Sequence, residues 1–373
     1  MLLSTKDFKE VCKTISNAVD KDAADLELRT RNNKLYLAVT NKEYYVCVSF
    51  ETNTDEQLMA TVDANLFLNL VSGLTVEEFE LVVEGNVVKL KAGKSSYKLP
   101  IIYANEEILS IAPIVLSNKT VEMPISDDIL KSILNVNSKE VQKTKTAINA
   151  NDLQKLYYLT EEGCFSFSTG ACLNNFALPQ PVKVLLDDRI VKLFRLFNET
   201  VQFSFGYDAV DSSVQAKVVF ETQNVYLSAN IINDDIMLTK IKGPCEATKN
   251  YINESYKIKA VLPVNQLSEA ISRLMLFTKN SINGTNMHYI SLNVNISEDG
   301  FAMTDDNGNT EVVQIESGSY IEEPYDLKIN VADIKLVLDS CKDEHITFNC
   351  GNGRSVVINR SNISHLIPES RRA

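Results

Sequence analysis

The chain has 373 residues, 45% hydrophobic and 23% charged, with 13 Gly and 9 Pro. That is a folded globular composition of two or three domains, which excludes a low-complexity or disordered protein. A formal net charge of −12 excludes nucleic-acid binding over the whole surface but leaves room for a local basic lining.

Residues 1–7 lack the basic start and apolar core of a secretory signal. Apolar runs such as 66–70 fall far short of a membrane span, so a cytoplasmic protein with no membrane association is expected. Ser4 and Thr5 precede a helix over residues 6–19. Its Phe8, Val11, Cys12, Ile15 and Val19 recur at helical spacing and place Lys6, Lys9, Lys13 and Ser16 on the opposite face. Strands are expected over 25–29, 34–40 and 44–50, with turns at Asn32-Asn33 and Asn41-Lys42. A helix over 63–74 should bury Leu66, Phe67, Leu70, Val71 and Leu74 before a hairpin meander over 76–99. Residues 103–117 read as a loop or edge segment.

The next stretch opens at Val121, and Ser126 to Asp128 cap a helix over 129–136 with Leu130, Ile133 and Leu134 inward. A polar, lysine-rich segment over 137–151 precedes strands at 156–159, 164–168 and 174–178. Asp187 and Asp188 cap a helix with Ile190, Val191, Phe194 and Phe197 inward, leading to strands at 201–205 and 214–220. A polar linker over 246–255 is expected next, then a strand over 256–262. A helix over 264–277 buries Leu267, Ile271 and Leu274. Turns at Asn283-Gly284, Asp299-Gly300 and Asn307-Gly308 separate strands. The last helix, over 330–341, precedes strands at 345–349 and 355–358.

Helix followed by short alternating strands thus recurs, and the second helices begin at Asp63, Asp187 and Asn330. Those spacings are domain-sized, beyond the roughly 20–50 residues of a solenoid repeat. The pattern is α+β, with helices on one side and sheets on the other. Three similar domains are expected, over 1–120, 121–250 and 251–373.

Catalytic signals are weak. The seven cysteines have no Cys-x-x-Cys spacing and are not paired with the three histidines, so neither a zinc site nor a disulfide framework is expected. Cys12 and Cys341 read as small core residues. Gly351-Asn352-Gly353 lacks the third glycine and helix of a dinucleotide site, and Asp305-Asp306-Asn307-Gly308 lacks calcium-loop spacing. No phosphate loop occurs, and dispersed histidines do not make a triad. No enzyme, metal or cofactor is expected.

Residues 60–74 and the hairpin after them resemble domain one of the bacterial DNA polymerase III β subunit, the sliding clamp. Asn151-Asp152-Leu153 followed by Tyr157-Tyr158-Leu159 is similar to that family's Gln-Asp-x-x-Tyr-Tyr-Leu segment. His365-Leu366-Ile367-Pro368 resembles its apolar-apolar-Pro ending, and module order matches over essentially the whole chain. There are departures: Ser168-Thr169-Gly170-Ala171-Cys172-Leu173 stands where the family has Thr-x-Gly-His-Arg-Leu. Asn65, Leu66 and Ser72 replace basic residues, and the tail ends Glu369 to Ala373.

The resemblance implies a clamp fold with sheets outside and helices inside, closed into a ring by a homodimer around duplex DNA without reading its sequence. It implies a DNA polymerase and a clamp-loader ATPase as partners. Cations on outward helix faces are ordinarily a solvated surface, but in a ring they converge on DNA phosphates. They are Lys6, Lys9 and Lys13, then Lys131, Lys192 and Arg195, then Arg273, Lys335 and Lys342. Asp127, Asp188, Glu269 and Asp339 on the same faces should temper them. Lys21, Lys139, Lys143, Lys145, Tyr157 and Tyr158 are implied as further DNA contacts. A partner-peptide pocket is implied at Leu159, Thr169, Cys172, Pro244, Leu366, Ile367 and Pro368, for which interdomain core is the alternative. The dimer contact is implied at Ile108 and Leu109 against Leu276 and Phe277. Two other classes stay open: a clamp-fold binding module or inhibitor without a role in processive synthesis, and an unrelated β-rich enzyme or virion protein.

Overall fold

A computed structural model describes residues 1–52, 56–137, 156–167, 170–210, 213–281 and 291–369. In chain order, β1 (Leu2–Ser4) and α1 (Thr5–Ser16) precede β2 (Asp25–Arg31), β3 (Lys34–Thr40), β4 (Tyr44–Glu51) and β5 (Met59–Asp63). Then come α2 (Ala64–Ser72), β6 (Glu78–Glu84), β7 (Val87–Ala92), β8 (Ser95–Pro100), β9 (Tyr103–Ala104) and β10 (Glu107–Ile108). The chain continues with β11 (Lys119–Ile125), α3 (Asp127–Asn137), β12 (Leu156–Thr160), β13 (Gly163–Phe167), β14 (Ala171–Asn175) and β15 (Lys183–Asp187). After α4 (Asp188–Lys192) come β16 (Val201–Val210), β17 (Ser213–Glu221), β18 (Val225–Ile231) and α5 (Asp235–Ile252). The remainder is β19 (Ile258–Pro263), α6 (Val264–Ser281), β20 (Ser291–Ser297), β21 (Gly300–Thr304), β22 (Thr310–Val313), β23 (Tyr320–Ile321), β24 (Tyr325–Asn330), α7 (Val331–Ser340), β25 (His345–Cys350), β26 (Ser355–Arg360) and β27 (Ile363–Pro368).

The chain forms two compact units, Met1–Lys131 with Arg189–Ile232, and Ser132–Asp188 with Asn233–Ala373. In the first, a four-stranded sheet runs β1-β6-β7-β8 and an eight-stranded sheet runs β11-β16-β17-β18-β4-β3-β2-β5. In the second, a nine-stranded sheet runs β15-β12-β13-β14-β27-β26-β25-β19-β23 and a four-stranded sheet runs β22-β21-β20-β24. Each long sheet is two shorter ones joined edge to edge. The joints are β4 with β18, Val48 opposite Val225, and β14 with β27, Cys172 opposite His365, both antiparallel.

The first unit's core is built where α1 lies on the sheets. Ser4 caps α1 by accepting from Asp7 N, and Phe8, Cys12 and Ile15 turn inward. Phe8 is fully buried, its ring 5.6 Å from Phe50 and Phe79 and 6.2 Å from Phe67. Such burial contributes about 2–3 kcal/mol per side chain. In the second unit, Leu267, Ile271 and Leu274 of α6 and Ile334, Val337 and Leu338 of α7 share one core with Phe301 and Phe348.

Several expectations change. Asp63 caps α2 through Leu66 N, so the inward stripe is Ala64, Phe67, Leu68 and Val71, and Leu66 is 52% exposed rather than buried. The helix after Asp187 lasts five residues before tightening into a 3-10 turn at Leu193–Leu196. Leu193, Phe194, Leu196 and the following Phe197 are all buried, with the rings of Phe194 and Phe197 5.0 and 6.4 Å from Phe220. Residues expected as a polar linker over 246–255 belong largely to α5, which runs to Ile252. The strand expected at 174–178 lies earlier, at β14.

The connector from Leu109 to Asn118 is strapped to the first unit by side chains. Glu27, 2% exposed, accepts from Ile111 N (2.7 Å). Tyr226 Oη donates to Ile114 O (3.4 Å), and Lys217 Nζ to Val115 O (2.7 Å). The buried Asp208 carboxylate accepts from Ser117 N and Asn118 N (2.9 Å each) and from Lys217 Nζ (3.1 Å). These bonds, the Ser117 amide foremost, hold its pKa down at about 2. Among the described residues no helix is long and apolar enough to cross a membrane, and no cluster of metal-ligating side chains occurs.

Candidate functional sites

The helix cations fall into two kinds. In the first unit Lys6 and Lys13 are exposed on α1, and Lys9, half-buried, donates to Leu74 O (2.6 Å). α1 packs against the 3-10 turn that carries the exposed Arg195, and Lys21 is exposed beyond α1. Among the described residues no ion pair joins an acid to any of these five. Lys192 is half-buried on α4. Lys131, by contrast, is bonded to Asp127, which lowers the Asp127 carboxyl pKa.

In the second unit, Arg273 makes a fork to Glu311, Nε–Oε1 2.7 Å and Nη2–Oε2 2.9 Å, with Glu269 at 3.6 Å. The guanidinium holds the Glu311 carboxyl below its ordinary range. Lys335 pairs with Asp339 at 2.8 Å, while Lys342 is exposed. Tyr157 is 1% exposed and is therefore a core residue rather than a DNA contact. Tyr158 is half-buried and packs beside Phe165. Lys139, Lys143, Lys145 and Thr169 lie outside the described residues.

The residues matched to a peptide pocket lie on both faces of the nine-stranded sheet. Asp234 caps α5 through Met237 N (2.8 Å), and Met237, Ile241, Cys245 and Thr248 form its buried stripe. That stripe meets Phe165, Leu173 and Leu185, with Leu156, Tyr158 and Phe167 partly buried around it. Because side chains alternate along a strand, Leu366 and Pro368 share this face with Leu173. Leu366 is half-buried opposite Ala171, Pro368 is exposed, and Pro244 is half-buried on α5. Leu159, Cys172 and Ile367 point to the other face. Ile367 belongs to the core around Phe348, and Cys172 packs on Ile363. One sheet face therefore carries Leu366 and Pro368 together with Tyr158 and Ala171, which sequence matching had not placed there, and α5, with Pro244, packs against the strands β14 and β27. Gly170 lets the strands meet: a Cβ at that position would overlap the Leu366 carbonyl oxygen.

Among the terminal strands of the described sheets are β8 and β22. On β8 every residue but Leu99 is exposed, including Tyr97. On β22, Val312 is 53% exposed, beside α6, whose Leu276 and Phe277 are 60% and 51% exposed. Ile108 and Leu109 are half-buried in the short hairpin after β8, where Leu109 N bonds Ile102 O (3.0 Å). The open edge near them is β8 itself.

No protein-family model matches the chain, and no curated protein matches it in sequence. Solved structures do. The DNA polymerase III β subunit of Thermotoga maritima matches at a TM-score of 0.75 and 17% identity, covering 100% of this chain and 99% of that one. The β subunit of Streptococcus pyogenes matches at 0.78 and 13%, with the same coverage. The Helicobacter pylori β clamp bound to a DNA ligase peptide matches at 0.73 and 16%, again covering 100% and 99%. The chain has the DNA clamp fold.

Proposed function

We propose that this chain is a DNA sliding clamp, a cytoplasmic homodimeric ring that encircles duplex DNA and tethers a replicative polymerase. One observation supports it most. The sheets resolve into six strand sets, three of the form β5-β2-β3-β4, β15-β12-β13-β14 and β24-β20-β21-β22, and three of the form β1-β6-β7-β8, β11-β16-β17-β18 and β19-β25-β26-β27. In both joints, the last strand of the first kind pairs with the last strand of the second kind from the next domain: β4 with β18, β14 with β27. Continuing that rule leaves β22 and β8, each the outer strand of its sheet. They pair between copies, and two such contacts close a head-to-tail ring of six domains, divided at 1–120, 121–250 and 251–373.

The interface then centres on β8 with Tyr97 and on β22 with Val312, Leu276 and Phe277, and Ile108 and Leu109 flank it. Function is topological rather than enzymatic. A closed ring holds the polymerase at high effective concentration near the primer end without gripping DNA tightly. Opening it falls to a separate clamp-loader ATPase. The groove of Pro244, Leu366, Pro368 and Tyr158 suits the apolar anchors of a short partner peptide.

The test is loading onto nicked circular DNA by a cognate loader, followed by linearisation. Release on cutting is expected. Equal retention before and after cutting at low salt excludes a ring. The half-buried Tyr158 in the groove and the polar Glu369 after Pro368 favour a second reading, a clamp-fold module that recruits other partners. Peptide binding without any stimulation of polymerase processivity would establish that reading.

A further inference from the structure

We infer that the described helix cations contribute unequally to DNA contact: those of α1 and the turn packed on it supply attraction, whereas Arg273 and Lys335 of the second unit are neutralised from within. The inference rests on the clamp reading. The solvent side of α1 carries Lys6, Lys9 and Lys13 against two acids, Asp7 and Glu10, and Arg195 lies on the turn packed against that helix. Lys9 donates to the Leu74 carbonyl, an uncharged partner. A phosphate approaching this surface meets net positive charge.

The second unit differs in kind. Arg273 is locked in a two-point fork to Glu311, whose side chain is only 25% exposed, and Glu269 stands on its other side. Fork geometry with a partly buried carboxylate makes this pair stronger than an ordinary surface pair. Lys335 carries Asp339 one turn on. A phosphate there meets a dipole, because the acid stays beside the cation even when the pair opens. Lys131 of the first unit is muted in the same way by Asp127.

Each cation that neutralises a phosphate contributes about 0.9 to the slope of log affinity against log salt. The experiment titrates a short fluorescent duplex with the full chain across a salt series. Replacing Lys6, Lys9, Lys13 and Arg195 with Gln should lower the slope by about 3.6. Arg273→Gln with Lys335→Gln should lower it by less than about 0.5. A gain-of-binding variant guards against simple misfolding: Glu311→Gln, Glu269→Gln and Asp339→Asn together should raise the slope by about 2 and tighten low-salt binding roughly tenfold. Equal losses from the two cation sets, or no gain from the acid variant, overturn the asymmetry. Wild-type protein that binds no duplex at any salt overturns the DNA-binding reading itself.

Discussion

At the joined edges, side chains on both sides of the seam are buried, whereas at the open edges they face solvent. Val46, Val48, Leu227 and Ala229 are buried across β4 and β18, and Tyr45 and Tyr226 pack at 6.1 Å. Across β14 and β27 the strands meet over Gly170, and Leu173 and Ile363 are buried. On β8 and β22 the outward residues include Tyr97 and Val312, with unpaired ladder groups along each strand. Natural sheets rarely leave such edges bare, because an unprotected ladder recruits another chain. On the proposed reading the joints serve folding and the open edges serve assembly.

The most damaging way to break the joints is Gly170→Val. Its side chain has no space beside Leu366, and a loss of about 3 kcal/mol or more is expected, read as a lower urea midpoint. At the open edges, Val312→Asp with Leu276→Asp should leave each chain folded yet weaken dimerisation at least about a hundredfold, about 2.8 kcal/mol. Light scattering across a dilution series reads it, and an unchanged dimer would place the interface elsewhere.

Asp208 gives a smaller effect. Its Ala variant should cost about 2 kcal/mol by releasing the connector amides and Lys217. The folded pKa of about 2 lies below the roughly 3.9 of an unfolded Asp, so this contribution is complete above about pH 4. It is lost as pH falls from there toward 2. Denaturation at pH 5 and pH 3 should show the gap between wild type and Asp208→Ala narrowing on acidification, and a constant gap would contradict it.

The groove gives the smallest effect. Leu366→Glu should weaken an apolar-anchored clamp-binding peptide about tenfold, about 1.4 kcal/mol. Leu159→Ala, on the other face, should cost stability while leaving peptide affinity within about twofold. Calorimetry that ranked them the other way would move the site across the sheet.

Much of this was legible in the sequence. Alternation and Asn or Gly turns mark β2, β3, β4 and the β6-β7-β8 meander, and the stripes of α1 and α6 appear at helical spacing. The helix α5 was hidden because Gly243-Pro244 interrupts it, although Met237, Ile241, Cys245, Thr248 and Ile252 keep helical spacing. Strand β18 is not among the expected elements, although Val225, Leu227, Ala229 and Ile231 alternate with polar or aromatic residues. Motif matching draws pocket residues from both faces of the sheet, because a strand's side alternation is settled only when α5 is in place. Which cations are free was illegible for a related reason: Glu311, the partner of Arg273, is far away in sequence and is brought close only by the packing of α6 on β22.

Hydrogen exchange along β8 and β22 tests the central claim most directly. Ring closure by edge pairing predicts slow amides at alternate positions of Ser95–Pro100 and Thr310–Val313 in the concentrated protein. Dilution, or the Val312→Asp and Leu276→Asp variant, should make them fast while β4 and β18 stay protected. Rapid exchange on both edges at every concentration, with a dimer still present, would contradict it.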